Sequence, residues 1–200
     1  GDGVPDDSDL TNPTDVNGDG KVDAKDDTKQ ASNIYMLNTH TNEVTLISRQ
    51  WNCDGSTCTP GEQANGPSSY PSFSQDGRYI AFQSSASNLV EGDNNGDKNY
   101  TDIFLYDTLN NDQRLRIISV SSNIPSEIEG QPDEPGVQAN LPSYSPVVVS
   151  NGGDSAQIAV FTSYADNLID GDTNTHCNYN IEGTYTQNCP DIYVHDFNHG

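Results

Sequence analysis

Pro71-Ser72-Phe73-Ser74-Gln75-Asp76-Gly77-Arg78-Tyr79-Ile80-Ala81-Phe82 reads as a strand, a tight Asp-Gly turn and a second strand. The series containing it runs from Gln63-Ala64-Asn65 through Asn88-Leu89 and Gly92-Asp93 to Asp102-Ile103-Phe104-Leu105-Tyr106-Asp107. It occurs again as Gln138-Ala139-Asn140, Pro142-Ser143-Tyr144-Ser145, Ile158-Ala159-Val160-Phe161, Asn167-Leu168, Gly171-Asp172 and Asp191-Ile192-Tyr193-Val194-His195-Asp196. Phe82 and Phe161, Asn88 and Asn167, and Asp93 and Asp172 share one offset of 79 residues, a register that chance does not keep. A partial copy opens the chain, with Asp15 to Asp27 standing where the Asp93 loop stands and Asn33 to Asn38 standing where Asp102 to Asp107 stands.

Short Val/Ile/Tyr/Phe-rich runs between Gly, Asn, Asp and Pro clusters predict strands throughout. In the middle copy they fall at Tyr70 to Ser74, Tyr79 to Ser84, Ile103 to Asp107 and Leu115 to Val120. In the last copy they fall near Ser143 to Val148, Gln157 to Ser163 and Ile192 to Asp196. Ile103-Phe104-Leu105-Tyr106 and Val147-Val148-Val149 are apolar at successive positions, so such strands need a neighbour on both faces. The expected fold is therefore all-β, as about two and a quarter four-stranded antiparallel blades of a β-propeller in an incomplete ring. A β-sandwich is the alternative.

The expected organisation is an acidic calcium-binding segment at 1–30, then the last two strands of a first blade plus a disulfide loop at 31–62. A second blade follows at 63–125 and a third at 126–200, the latter carrying a disulfide-closed insertion at 172–191. Nine strands do not close a ring. Either the chain is a piece of a larger propeller, or other chains complete its edges. The acidic motif already under way at Gly1 to Asp6 favours the first.

Residues 71 to 82, Ser87-Asn88-Leu89-Val90-Glu91-Gly92-Asp93-Asn94-Asn95 and Asp102 to Asp107 together resemble the blade repeat of TolB-like, WD40-related propellers. The resemblance spans roughly residues 15 to 200 and is strongest from 63 to 120. The third copy departs from it, with Asn-Gly-Gly-Asp at 151 to 154 in place of the Asp-Gly turn.

Leu, Ile, Val and Phe make up only 38 of 200 residues, so the core is thin and needs help from elsewhere. Thirty acidic residues against eight basic ones give a formal charge of -22, which repels nucleic acid and anionic membranes and favours cations. Cys53/Cys58 and Cys177/Cys189 form two local pairs, read as two small disulfides with zinc as the rival. Disulfides imply an oxidising location, extracellular or cell-surface, or periplasmic. No apolar run reaches transmembrane length and no signal peptide is present, so an export signal is expected to have been removed or to lie outside these residues.

Asp15-Val16-Asn17-Gly18-Asp19-Gly20-Lys21-Val22-Asp23-Ala24-Lys25-Asp26 matches a calcium loop of the EF-hand or dockerin kind. Asp15, Asn17, Asp19, Asp23 and Asp26 supply side-chain oxygens, Lys21 supplies its carbonyl, and Gly20 makes the sharp turn. Alternate residues of a tight loop point inward, and Ca²⁺ takes six to eight hard oxygens. Asp26 replaces the usual bidentate Glu and no amphipathic helix precedes the loop, so a structural ion is expected rather than a sensor. Asp93, Asn95, Asp97 and Asp102 repeat the alternation, and Asp172 with Asp191 forms a weaker third echo. Asp2, Asp6, Asp7 and Asp9 resemble the acidic repeats of thrombospondin type 3 segments. The alternative for each acidic stretch is a solvated surface.

His195 and His199 do not share a helical face, and His40 and His176 read as loop residues. No zinc-protease, nucleophile-elbow or phosphate-loop motif is present, so no enzyme is expected. Asn99-Tyr100-Thr101 is an N-glycosylation sequon. The expected role is a calcium-stiffened, non-catalytic extracellular module that binds a protein or glycan partner, and the alternative is a protomer that pairs with copies of itself in a fibre or surface layer.

Overall fold

The computed structural model describes residues 32–93, 100–121, 136–150, 157–172 and 189–196. The described residues are all-β, in small antiparallel sheets. The middle copy forms one four-stranded meander, β5 (Ser68–Phe73), β6 (Tyr79–Ser84), β7 (Asp102–Asp107) and β8 (Leu115–Ile117), hydrogen-bonded in that order. The last copy forms a three-stranded sheet from β9 (Ser143–Val149), β10 (Ile158–Ser163) and β11 (Asp191–Asp196). Ahead of these stands a first unit of two hairpins, β1 (Tyr35–Asn38) with β2 (Glu43–Leu46) and β3 (Arg49–Cys53) with β4 (Cys58–Gln63). No helix among the described residues is long and apolar enough to cross a membrane.

The described strands number eleven rather than the expected nine, because the loop assigned to the first disulfide is itself a hairpin. Cys53 and Cys58 are direct cross-strand partners joined by a disulfide, with Cα atoms 4.1 Å apart. Asp54 Oδ1 accepts the Ser56 and Thr57 amides, and Gly55 takes φ +86°, so Asp-Gly-Ser-Thr turns the chain. Polar composition hid these strands from a reading based on Val and Ile content.

Packing explains the doubly apolar run of β7, whereas among Val147-Val148-Val149 of β9 only Val148 is buried and Val147 and Val149 are exposed. Ile80, Phe82, Phe104 and Tyr106 point to one side of the central sheet, where they are buried with Ile34 and Ile47 of the first unit and with Ala64 at the start of the second. Tyr79, Ala81, Ile103 and Leu105 point to the other side and are buried with Val148, Ala159, Phe161 and Tyr193 of the third. All six residues of β6 and all six of β7 are buried. Phe82 stacks on Phe104 at 5.6 Å, and the equivalent Phe161 stacks on Tyr193 at 5.8 Å. Phe73 is paired with Ile80 yet stays 58% exposed.

Backbone strain corrects one sequence alignment. Tyr70 and Ser145 both hold positive φ, +53° and +54°, both precede proline, and both sit where β5 and β9 break register with their neighbours. Pro67-Ser68-Ser69-Tyr70-Pro71 therefore corresponds to Pro142-Ser143-Tyr144-Ser145-Pro146, and the earlier pairing of Pro71 with Pro142 was out of register. The predicted run Leu115 to Val120 also divides, since β8 ends at Ile117 and Val120 forms a bridge to Gln138 at the start of the third unit.

A sheet covered on both faces predicts unequal costs for two phenylalanines. Phe82→Ala removes a fully buried ring and is expected to cost about 3–5 kcal/mol in urea unfolding, whereas Phe73→Ala is expected to cost less than about 1 kcal/mol. Equal losses would contradict the layered packing.

Candidate functional site

Each junction between units is closed by the same small polar residues. At the first, the Ile34 amide donates to Ser48 Oγ at 3.0 Å, the Ser48 hydroxyl donates to Asn33 Oδ1, and the Ala64 amide donates to the Ser48 carbonyl. At the second, the Ile103 amide donates to Ser119 Oγ at 3.1 Å, the Ser119 hydroxyl to Asp102 Oδ1, and the Ala139 amide to the Ser119 carbonyl. Beyond them Asn65 and Asn140 make matching amide bonds to Asn88 Oδ1 and Asn167 Oδ1, and the side chains of Asn88 and Asn167 donate to the Gln63 and Gln138 carbonyls. Ser68–Ser84 and Ser143–Ser163 hydroxyl pairs, both at 2.9 Å, complete the correspondence.

Asn33 and Asp102 thus occupy one structural position with different charge. Asp102 is only 1% exposed. Its Oδ1 accepts from Ser119 at 2.7 Å and its Oδ2 from Gln138 Nε2 at 2.7 Å, while the same Gln138 nitrogen reaches Asp93 Oδ1 at 3.1 Å. Two carboxylates from the second unit therefore converge on one amide from the third. Burial pushes the Asp102 carboxyl up to about 7, against the lowering effect of the Ser119 and Gln138 hydrogen bonds, and the nearby Asp93 charge adds to the rise.

In the third unit the corresponding residues line an open cleft of about 360 Å³ formed by Ile169 to Asp172 and Asp191 to Tyr193. The Tyr193 hydroxyl lies 3.1 Å from the Ala165 carbonyl and 3.4 Å from Asp172 Oδ2, two acceptors for its single proton. Burial, reinforced by the Asp172 and Asp191 charges, pushes Tyr193 up to about 12, so the phenol stays protonated. Across the second junction His195 is held below its usual value, first by burial and then by the Arg116 charge.

Of the residues expected to bind calcium, Asp93 and Asp102 are brought together. Asp15, Asn17, Asp19, Lys21, Asp23, Asp26, Asn95 and Asp97 lie outside the described residues, as do Asp2, Asp6, Asp7, Asp9, the sequon Asn99, His176, His199 and the turn at 151 to 154. Cys189 is disulfide-bonded, and its expected partner Cys177 also lies outside them. His40 is exposed in the β1–β2 turn, where its amide and that of Thr41 donate to Asn38 Oδ1. Among the described residues no three His, Cys, Asp or Glu side chains gather as a metal-holding group. Asp93 and Asp102 fit a hard cation in donor type but supply only part of a six-to-eight-oxygen shell. Ser119 and Gln138 were missed by the sequence reading. Their signal was present in the repeated Ile-Ser at 47–48 and 118–119 and the repeated Gln-Ala-Asn.

Comparison with protein-family models, curated proteins and solved structures finds no match to this chain.

Asp102 sets a pH dependence of stability. Its folded value lies above the ordinary 3.8, so its contribution is full below that pH and is lost as pH rises through about 7. Asp102→Asn, the residue type already used at position 33, is expected to flatten the decline in stability between pH 4 and 8 in metal-free buffer. The difference from wild type is expected to be on the order of 3 kcal/mol, read by urea unfolding at both pH values. Parallel pH profiles for the two proteins would remove Asp102 as the titrating group.

Proposed function

We propose that this chain is a segment of a calcium-stabilised β-propeller of the TolB-like, WD40-related kind, working outside the cell as a non-catalytic binding or scaffold module. The observation that carries the reading is the junction used twice, with the same serine, alanine and asparagine bonds each time. Units joined repeatedly by one rotation generate a ring or a superhelix, and four-stranded antiparallel sheets stacked face to face are what a propeller is built from.

Calcium enters through charge. A chain at -22 with a buried carboxylate facing a second one is strained by its own field at neutral pH, and a divalent cation relieves that strain wherever carboxylates converge. Asp93 and Asp102, with Asp15, Asn17, Asp19, Asp23 and Asp26 and the Lys21 carbonyl, are the ligands we assign to Ca²⁺. Asn95 and Asp97 complete the second set. The Cys53–Cys58 disulfide supports an oxidising location. Loops between stacked sheets then present the recognition surface for a protein or glycan.

The second reading, a protomer of a fibre or surface layer, is favoured by the exposed apolar side chains Leu37, Ile192 and Val194 at the two ends of the stack.

Calcium is expected to raise the melting temperature by several degrees over chelator-treated protein at pH 7.5, because a ligand bound by the folded state alone stabilises by mass action. Asp19→Ala with Asp23→Ala is expected to remove most of that shift. A melting temperature indifferent to chelator and calcium would end the calcium reading and leave the stacked-sheet reading standing.

A further inference from the structure

The stack carries, at its two ends, both halves of the junction it makes internally. At the second junction the central sheet offers Tyr79, Ala81, Ile103 and Leu105, all buried beneath the third unit. The same positions in the third sheet are Ile158, Val160, Ile192 and Val194, given by the 79-residue offset and by the match of Asp102–Asp107 with Asp191–Asp196. Cross-strand register puts them on one face with Val147 and Val149, since Val147 pairs with Val160, Val160 with Val194, and Val149 with Ile158. Ile192 is 76% exposed and Val194 63%, where Ile103 and Leu105 are buried.

The opposite end shows the complementary half. Phe104 pairs with Ile117 and Tyr106 with Leu115, and these four side chains form the face of the second unit that packs against the first. In the first unit the register is identical, with Tyr35 paired to Leu46 and Leu37 to Val44. Leu37 is 56% exposed and Tyr35 is also exposed. Ile34 and Met36, on the other side of the same hairpin, already pack against the second unit as Ile103 and Leu105 pack against the third.

We infer that a second copy of this chain docks its β1–β2 face, Tyr35, Leu37, Val44 and Leu46, onto the outer face of β9–β11 of the first, continuing the stack head to tail. The inference rests on the protomer reading above and names the surfaces it uses. The contact is heterologous, so each copy keeps one face open after pairing and the assembly grows until a ring closes or a filament forms. The second copy is the occupant because the accepting face repeats an interface this molecule already makes, and because the chain itself displays the matching face. The formal charge of -22 opposes the approach of two copies, so association strengthens as salt screens that repulsion.

Sedimentation analysis of the full chain, with calcium held fixed, tests this across about three decades of concentration from micromolar to millimolar. The wild type is expected to show a mass that rises with concentration and with sodium chloride. Ile192→Lys with Val194→Lys blocks one face and Leu37→Lys blocks the other, and because each contact needs both faces, each variant alone is expected to stay monomeric. The decisive sample is the mixture of a Leu37→Lys chain with an Ile192→Lys/Val194→Lys chain. The first retains the accepting face and the second the incoming one, so together they form a capped dimer. Leu37→Ser and Val194→Ser replace any lysine variant whose circular dichroism departs from wild type. A wild type that stays monomeric throughout overturns the inference, as does an association that salt weakens or a mixture that yields no dimer. None of these outcomes touches the calcium reading, which is read from the melting of the monomer.

Discussion

The rest of the structure depends on covering both faces of the central sheet. Ile103-Phe104-Leu105-Tyr106 puts a large apolar side chain on each side of β7 in turn, and β6 does the same, so one wet face would leave several aromatic and aliphatic groups in water. The first and third units exist, in energetic terms, as the two covers. This makes the molecule's cohesion a property of junctions more than of sheets. A two-stranded hairpin such as β1–β2 is marginal alone and becomes stable by lying on Phe104, Tyr106 and Leu115. Trp51 serves the neighbouring hairpin in the same way, its ring 5.3 Å from that of Tyr106 and beneath the Arg114 guanidinium.

The junctions carry an electrostatic cost alongside this apolar gain. Small residues let the sheets approach closely: Ala81, Ala139 and Ala159 lie in the second interface, and the serines at 48 and 119 tie adjacent strands without adding bulk. Where the first junction uses the neutral Asn33, the second uses Asp102, which accepts similar hydrogen bonds but brings a charge into a place 1% exposed. Packing alone does not require that charge, because asparagine meets the Ser48 bond equally well. The substitution is intelligible if something cationic offsets it, and Asp93 meeting the same Gln138 amide gives such a cation two carboxylates at once.

The strands β6 and β7 were legible because runs buried on both faces are continuous and apolar, and β10 and β11 because their residues could be matched to those of β6 and β7. The Asp76-Gly77 turn was legible for a local reason, as Gly77 does take φ +76°. The hairpin β3–β4 was not, since Arg49-Gln50-Trp51-Asn52 and Thr59-Pro60-Gly61-Glu62 carry little β propensity and are held by a disulfide and by packing on a neighbour. The match of β5 with β9 was present in the sequence but misassigned. Two Pro-Ser pairs occur in the neighbourhood, at 67–68 and 71–72, and the shared Gln-Ala-Asn-x-Pro-Ser spacing of 63–68 and 138–143, together with the positive φ of Tyr70 and Ser145, matches the first to Pro142-Ser143. In the candidate site, the acidic partners stood out by composition. Gln138 did not, because it comes from the next unit and its role appears only when that unit is docked.

When a site is assembled from Asp93 and Asp102 of one unit and Gln138 of the next, stacking and site chemistry are the same event, and a change that loosens the junction also pulls the amide away from the carboxylates. The third unit shows the other half of the logic: Asp172 and Asp191 keep the acidic positions in an open cleft, while Ile192, which also lines that cleft, and Val194 keep the apolar face. An apolar surface next to an acidic cleft is costly to maintain on a chain this poor in Leu, Ile, Val and Phe. Its retention at the same positions that are buried in the second unit follows from one junction design being copied. The copy brings the same apolar face with it, whether or not another unit covers it.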